Sequence, residues 1–457
     1  MSMIKNWKAS GELLFQALGV KLDDIPFEHL ASYTAVHYFL TAENQPHANA
    51  QNLDKVTRYL ESFHHLCAVS DWDLAYKIMF LPLESFDDNH LTLQLDIWGY
   101  YEKEISLGEQ LLNKISPQVD LECLIVMGDG YIDLGDYEKA WKVYQQGLDL
   151  SHTINDSEMQ ITCLLCLGLV LNYQGKYRES AAYYQEALNQ DIKLCDLKTE
   201  YLVLKARILS NLAMSYYNLD RNKESLDCNE QSLSLFRILG DRQGEATTLI
   251  SLGRDYYILE DYERGLTLGQ QGLTLAREIG HSSGEAEALN LLGMIYCATG
   301  DFQQALEVHE KQITIAREIG DLREEAYAMG NLADLYETLE DYDLSAHYAQ
   351  KHLALSQQIG DRRGEGAALH SLGVALLEQS QLSRALEKLQ LALQIFQEVE
   401  SRSEEAQTLA DLSVLYWRLN DNESALNYCD CAYVLAKKLD ISLADECQEL
   451  RQQILGS

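Results

Sequence analysis

Leu292-Gly293-Met294-Ile295-Tyr296, followed after three residues by Gly300-Asp301-Phe302-Gln303-Gln304-Ala305, decides the fold, because altered copies of it recur every forty residues. The Leu-small pair returns as Leu212-Ala213, Leu252-Gly253, Leu332-Ala333, Leu372-Gly373 and Leu412-Ser413. A second mark keeps the same step: Leu239-Gly240-Asp241, Ile279-Gly280-His281, Ile319-Gly320-Asp321 and Ile359-Gly360-Asp361, decaying to Val399-Glu400-Ser401. A fixed period of this size means stacked copies of one supersecondary unit sharing one continuous core.

One period shows the physics. From Glu245 to Leu259 the residues Ala246, Leu249, Ile250, Leu252, Gly253, Tyr256 and Tyr257 recur at three- and four-residue spacing, the pattern of an amphipathic helix. Glu260-Asp261-Tyr262 breaks it, and a second stripe follows through Leu266, Gly269, Leu273, Ala276 and Ile279. Gly280 suits the left-handed residue that ends a helix. Ser282-Ser283 offers hydroxyl caps for the next, and Asp321/Glu324 and Ser401/Glu404 have the spacing of N-cap pairs. Small residues in mid first helix (Gly253, Gly293, Ala333, Gly373) and early in the second (Gly265, Ala305, Ser345, Ala385, Ala425) predict close helix crossing.

This small-aromatic-turn-Ala pattern resembles the tetratricopeptide repeat, and the forty-residue spacing resembles its longer-helix variant in Leu-Gly-Asn-repeat adaptors and in bacterial peptide-sensing regulators. The resemblance implies an all-α fold, a right-handed α-solenoid (superhelix) of stacked antiparallel helix hairpins. Earlier copies are Met127-Gly128 with Gly135-Asp136-Tyr137, and Leu167-Gly168 with Gly175-Lys176-Tyr177. Leu212 arrives 45 residues after Leu167, so a lengthened loop or helix is expected near 194–207. Phe63 to Trp72 is similar to a hairpin that precedes such repeats in cyanobacterial tetratricopeptide proteins. The expected organisation is an N-terminal helical segment over 1–50, two degenerate hairpins over 51–120, eight repeats over 121–440 and a capping helix over 441–457. Within 1–50, helices are expected around Glu12–Leu18 and Glu28–Thr41, followed by a polar stretch at 43–51.

The net charge is −35, spread evenly: −9 over residues 1–120 and −26 over 121–457. That argues against nucleic-acid and anionic-membrane binding. No stretch is apolar enough for a signal peptide or transmembrane helix, so the expectation is a cytoplasmic chain without membrane insertion. There is no phosphate loop, dinucleotide glycine fingerprint or His-Glu-x-x-His motif, and neither a catalytic role nor a cofactor is expected. Cys163/Cys166 and Cys429/Cys431 lie within helical patterns with no second pair nearby, which reads as core cysteine rather than metal. His347 and His352, five apart, read as surface residues.

The resemblance implies that each first helix lines an inner groove. Counted from the Leu of each Leu-small pair, the groove stripe falls at −5, −2, −1, +2, +5 and +6. It nominates Arg207, Asn211, Tyr217, Arg254, Tyr257, Asn290, Met294, Tyr327, Asn331, Asp334, His370 and Trp417 as partner-binding residues. Over six repeats these positions hold three Arg against five acids, so a nearly neutral groove lies inside an acidic chain. Asn, Tyr, Met and Arg suit a peptide held by main-chain hydrogen bonds and apolar pockets. The carboxylate clamp of chaperone-tail binders cannot be assembled from these positions. Asn211 and Asn331 match the Leu-Gly-Asn pattern, whereas Ser251, Leu291, Ser371 and Asp411 do not. The expectation is a scaffold or adaptor for a protein or peptide partner. The alternative is a sensor whose superhelix changes shape on binding a short signalling peptide or small ligand.

Overall fold

The computed structural model describes residues 15–16, 18–41, 52–80, 90–190, 198–439 and 441–456. Among these residues the long elements are all helices, packed consecutively as antiparallel neighbours, which is the all-α solenoid expected from the period. The chain falls into two compact units, Met1–Cys163 and Leu164–Ser457.

In the first unit, helices Asn52–Ala68, Trp72–Phe80 and Tyr101–Leu111 enclose a core containing Phe63, Leu66, Ile78, Met79 and Leu107. Polar ties fix the edges of this core: the Tyr33 hydroxyl donates to Asp71, and Tyr76 donates to Glu122 Oε2 at 2.6 Å. The helix anticipated at Glu28–Thr41 is observed as Leu30–Thr41. The one anticipated around Glu12–Leu18 and the polar stretch at 43–51 lie largely or wholly outside the described residues.

In the second unit, six hairpins follow one another. Their first helices are Lys198–Asn218, Arg242–Ile258, Ser282–Ala298, Leu322–Thr338, Arg362–Glu378 and Arg402–Arg418. The last hairpin is covered by Leu443–Gly456. Lys198–Asn218 has 21 residues where the next five first helices have 17 each. This helix therefore carries an extra turn at its start; residues 191–197 lie outside the described range.

Local chemistry sets the repeat. Asp241 and Asp361 accept from Gly244 N and Gly364 N at 2.9 Å, and Asp321 accepts from both Arg323 N and Glu324 N at 3.0 Å, satisfying donors that a helix start leaves open. The hydroxyl caps expected at Ser282-Ser283 are not formed. His281 takes the cap position without a side-chain cap bond, and both serines lie inside the helix. Ser401 caps Arg402–Arg418 by position, and its hydroxyl donates to Glu404 Oε2 at 2.5 Å rather than accepting from the backbone. Close crossing is visible at Gly253 and Gly265: a Cβ on either would lie 3.1 Å from the other's carbonyl oxygen. His352, read from sequence as a surface residue, is 6% exposed; its ring occupies the space beside Gly330, while His347 is exposed as expected.

Candidate functional site: an enclosed channel in the second unit

Contacts between distant hairpins of residues 164–457 bring the inner sides of early and late first helices toward one another, and we term the space between them the channel. Arg363, near the start of Arg362–Glu378, donates to Asn218 Oδ1 at the end of Lys198–Asn218. Ser403 N donates to Asp220 Oδ2 at 2.8 Å. Arg178 and Glu400 pair at 2.8 Å, and the Arg323 guanidinium lies 5.3 Å from the Tyr173 ring centroid. The turns inside the early hairpins, between first and second helix, thus meet the helix starts of the later ones.

Tyr217 is the centre of one end of the channel. Its ring lies between two guanidiniums, Arg254 at 5.9 Å and Arg363 at 5.8 Å. Arg363 is also bound to Glu404, with Nε 2.9 Å from Oε1. Burial opposes the charge on Arg363, but Glu404 and Tyr217 outweigh it and hold it protonated. Burial likewise works to raise Glu404, while Arg363 and the Ser401 hydroxyl bring it below its ordinary value. Tyr177 and Tyr327 complete this aromatic and basic zone; burial raises both hydroxyls, and Arg363 or Arg323 partly counters it. Glu324 is pushed up to about 8, first by burial and then by Glu287. Its Oε2 accepts from Gln312 Nε2 at 2.9 Å.

The other end is acidic. Asp334 keeps an exposed surface, and desolvation by the protein around it raises its carboxyl against the pull of Ser371 and His370. It accepts from Ser371 Oγ at 3.0 Å. Glu337 is pushed up to about 7 by burial and by Asp334. His370 Nε2 lies 2.8 Å from Asp411 Oδ2; burial disfavours its charge, but the Asp411 carboxylate prevails and raises its pKa. Arg418 pairs with Glu378 at 2.6 Å.

The nominated residues divide accordingly. Tyr217 and Arg254 meet, Asn331 Nδ2 donates to Asn290 Oδ1 at 2.6 Å, and Asp334 and His370 lie within one another's field. Asn290 is itself 6% exposed, so its role is mostly to hold Asn331. Asn211 spends its Nδ2 on the carbonyl of Arg207, and Arg207 is exposed. Tyr257 packs on Tyr262, 5.9 Å between centroids. Met294 and Trp417 are half-buried. The stripe missed Arg323, Arg363 and Glu404. Arg323 and Arg363 stand nine residues before their Leu, four before stripe position −5 and so about one turn away on the face of the stripe. Extending the ruler one turn beyond −5 finds them.

Among the described residues no group of three or more His, Cys, Asp or Glu side chains could hold a metal ion. Cys163, Cys166 and Cys429 are buried free thiols; Cys431, two residues on, faces out. No helix among the described residues is long and apolar enough to cross a membrane.

Among curated proteins, the 43 kDa receptor-associated protein of the synapse from Gallus gallus is 26% identical over 159 residues, 33% of this chain and 37% of that protein. Its counterpart from Tetronarce californica is 25% identical over 138 residues, 29% and 32% of the two chains. The match thus spans about a third of the length of these relatives. Among solved structures, a Rap protein complexed with Competence and Sporulation Factor superposes with a TM-score of 0.53 at 16% identity, over 76% of this chain and 98% of that one. The apo quorum sensor NprR from B. thuringiensis gives 0.53 at 15% identity, over 75% and 92%. These structural likenesses are likenesses of fold. Sequence profiles described as tetratricopeptide repeat match residues 161–189, 204–278, 284–358 and 364–438, together more than half of the sequence. The chain belongs to the tetratricopeptide repeat family.

Proposed function

We propose that this chain is a non-catalytic protein-interaction scaffold whose channel in residues 164–457 holds a peptide segment of a partner protein. One observation carries the reading. In a chain of net charge −35, Arg254 and Arg323 stand on the channel wall with no carboxylate within 4.0 Å among the described residues. A strongly acidic protein leaves two guanidiniums outside any carboxylate ion pair at a polar, aromatic wall, Arg323 held by a Tyr327 hydrogen bond, where a partner's carboxylate can pair with them. The twelve nominated residues, Arg323 and Arg363 form the binding surface in this reading. The division into 1–50, 51–120, eight repeats over 121–440 and a cap over 441–457 belongs to the same proposal. So does a cytoplasmic location, supported by cysteines that are free throughout the described residues. The matched relative's name, a receptor-associated protein, supports a partner-binding role.

Recovery of partners from a native lysate tests this reading. Wild type is compared with Asn211→Ala/Asn331→Ala and with Arg254→Ala/Tyr327→Ala. Loss of the same partner from the second variant is expected; equal recovery by all three proteins would overturn the channel as the binding surface.

The closure contacts favour a second reading, a sensor. A ligand entering between Arg363 and Asn218, or between Arg178 and Glu400, competes with bonds that hold the hairpins in one curvature. The fold shared with a quorum sensor and with a Rap protein solved with a signalling factor supports it. Small-angle scattering with and without the recovered peptide separates the readings: a sensor changes its radius of gyration, whereas a static scaffold does not.

A further inference from the structure

The kind of peptide is written on one helix face, and this inference rests on the channel being a peptide site. On Leu322–Thr338, Arg323, Tyr327, Asn331, Asp334 and Glu337 succeed one another at spacings of four, four, three and three. Those are the steps of a single helical stripe. Arg323 and Asp334 are eleven residues apart, close to three full turns, so they share an angular position about 16 Å apart along the axis.

Each end of the stripe has charges outside any ion pair: Arg323 has a Tyr327 hydrogen bond and the field of Asp361, Arg254 the fields of Glu287 and Glu324, and Asp334 and Glu337 the field of His370. At the first end Arg323 lies against Tyr173, with Arg254 on the wall nearby. The neighbouring acids are largely committed: Glu404 to Arg363, Asp361 to the backbone of Gly364, and Glu324 to Gln312 with its proton retained at neutral pH. Glu287 faces Arg254 without coming within ion-pair distance. At the far end the bases are committed instead, His370 to Asp411 and Arg418 to Glu378. Asp334 has a serine hydroxyl as its partner, and Glu337 has no cation within 4.0 Å among the described residues. Between the two ends, Asn331 gives one N–H to Asn290, which leaves its Oδ1 to accept from a ligand's main chain.

We propose that this face reads a short extended peptide bearing one acidic and one basic side chain about five residues apart, the acid on Arg323 and Arg254 and the base on Asp334 and Glu337. The spacing follows from about 16 Å covered at about 3.3 Å per extended residue, and since side chains of an extended chain alternate faces, the pair that shares one face is four or six positions apart. Committed neighbours make the pattern directional: with the acid at one end and the base at the other, one chain direction over Asn331 corresponds to one order of acid and base along the peptide.

The test is a display library of random twelve-residue peptides panned on the full chain and, in parallel, on Arg323→Glu/Asp334→Arg. Wild type is expected to enrich an acid and a base four or six positions apart in one order, and the charge-swapped protein the opposite order. A synthetic, end-capped peptide from the wild-type selection should bind about tenfold tighter than its Gln/Gln counterpart. The solvent-facing Asp334→Asn variant, whose melting is checked by circular dichroism, should lose most of that preference. Enriched peptides without a charge pair, or the same order from both proteins, overturn this inference and leave the channel intact as a peptide site. Peptides that bind Tyr327→Ala/Asn331→Ala as tightly as wild type, or no enrichment at all, overturn the channel reading together with it.

Discussion

Arg363 donates through its guanidinium to Asn218 Oδ1, 145 positions earlier in the chain, while its Nε donates to Glu404 Oε1 at 2.9 Å. One planar fork thus ties the end of one first helix to the starts of two others. Lysine keeps the charge but cannot present the fork. Arg363→Lys is therefore expected to keep the helical content and to enlarge the radius of gyration measured by small-angle scattering. The loss of hydrogen bonds to a charged group should cost about 1.5–3 kcal/mol. Unchanged scattering together with an unchanged urea midpoint would rule out a closing role for this residue.

Glu400 occupies the turn position that is glycine at 240, 280, 320 and 360, and it adopts the same left-handed backbone, φ 58° against 70–76°. The conformation costs a side-chain-bearing residue about 1 kcal/mol or more. Its carboxylate pairs with Arg178 at 2.8 Å, but Arg178 is 76% exposed, and such pairs contribute about 0–1 kcal/mol. Backbone relief therefore outweighs the lost pair. Glu400→Gly should raise the urea midpoint slightly while increasing the radius of gyration. A variant that is both less stable and unchanged in size contradicts this ranking.

Gly293 shows why a small residue recurs in mid helix. A Cβ there would lie 2.4 Å from Cε1 and Nε2 of His309, which is 1% exposed and bonded to Gln312 at 3.1 Å. The ring has nowhere to go, so Gly293→Ala is expected to cost about 1–3 kcal/mol by overpacking, and Gly293→Leu more. Removing the obstruction should restore part of this: Gly293→Ala/His309→Ala should be more stable than the sum of the two single changes allows. Strict additivity in thermal melts would exclude the clash.

The sequence period marks the six hairpins that begin at Lys198–Asn218, because the small-large packing rule acts locally and leaves its mark at fixed spacing. Sequence did not distinguish Gly293, covered by a histidine, from Gly253, covered by Leu291 of the next hairpin. The identity of the filler depends on which neighbour reaches the gap. His352 was misread for the same reason: five-residue spacing from His347 says nothing about the space beside Gly330. Half of the charged channel was legible, since Arg254, Asp334 and His370 fall on the stripe. Arg323 and Arg363 escaped because the stripe was cut a turn short. Their closing contacts with Tyr173 and Asn218 escaped because curvature summed over several hairpins is not encoded in any one repeat.

Glu104 makes the first unit sensitive to base. It is 4% exposed, its Oε2 has no hydrogen-bond partner among the described residues, and burial followed by Asp96, Asp129 and Asp133 pushes its pKa up to about 9 from an ordinary 4.5. Between those two values the folded chain holds a proton that the unfolded chain has released, so stability must fall as pH rises through the window. Asp133, raised to about 7 by burial and Asp96, adds the same sign over a narrower range. In the second unit His309 and His352 act from the acid side. Burial lowers both to about 4 from 6.5, so stability is full above the upper value and is lost as pH falls toward the lower. Glu104→Gln removes the first contribution and leaves the others. Its urea midpoint, followed by circular dichroism, should match wild type near pH 5 and exceed it by a margin that widens up to pH 9. A constant margin across that range would mean that Glu104 ionises normally in the folded chain, and that Asp96, Asp129 and Asp133 do not hold its proton.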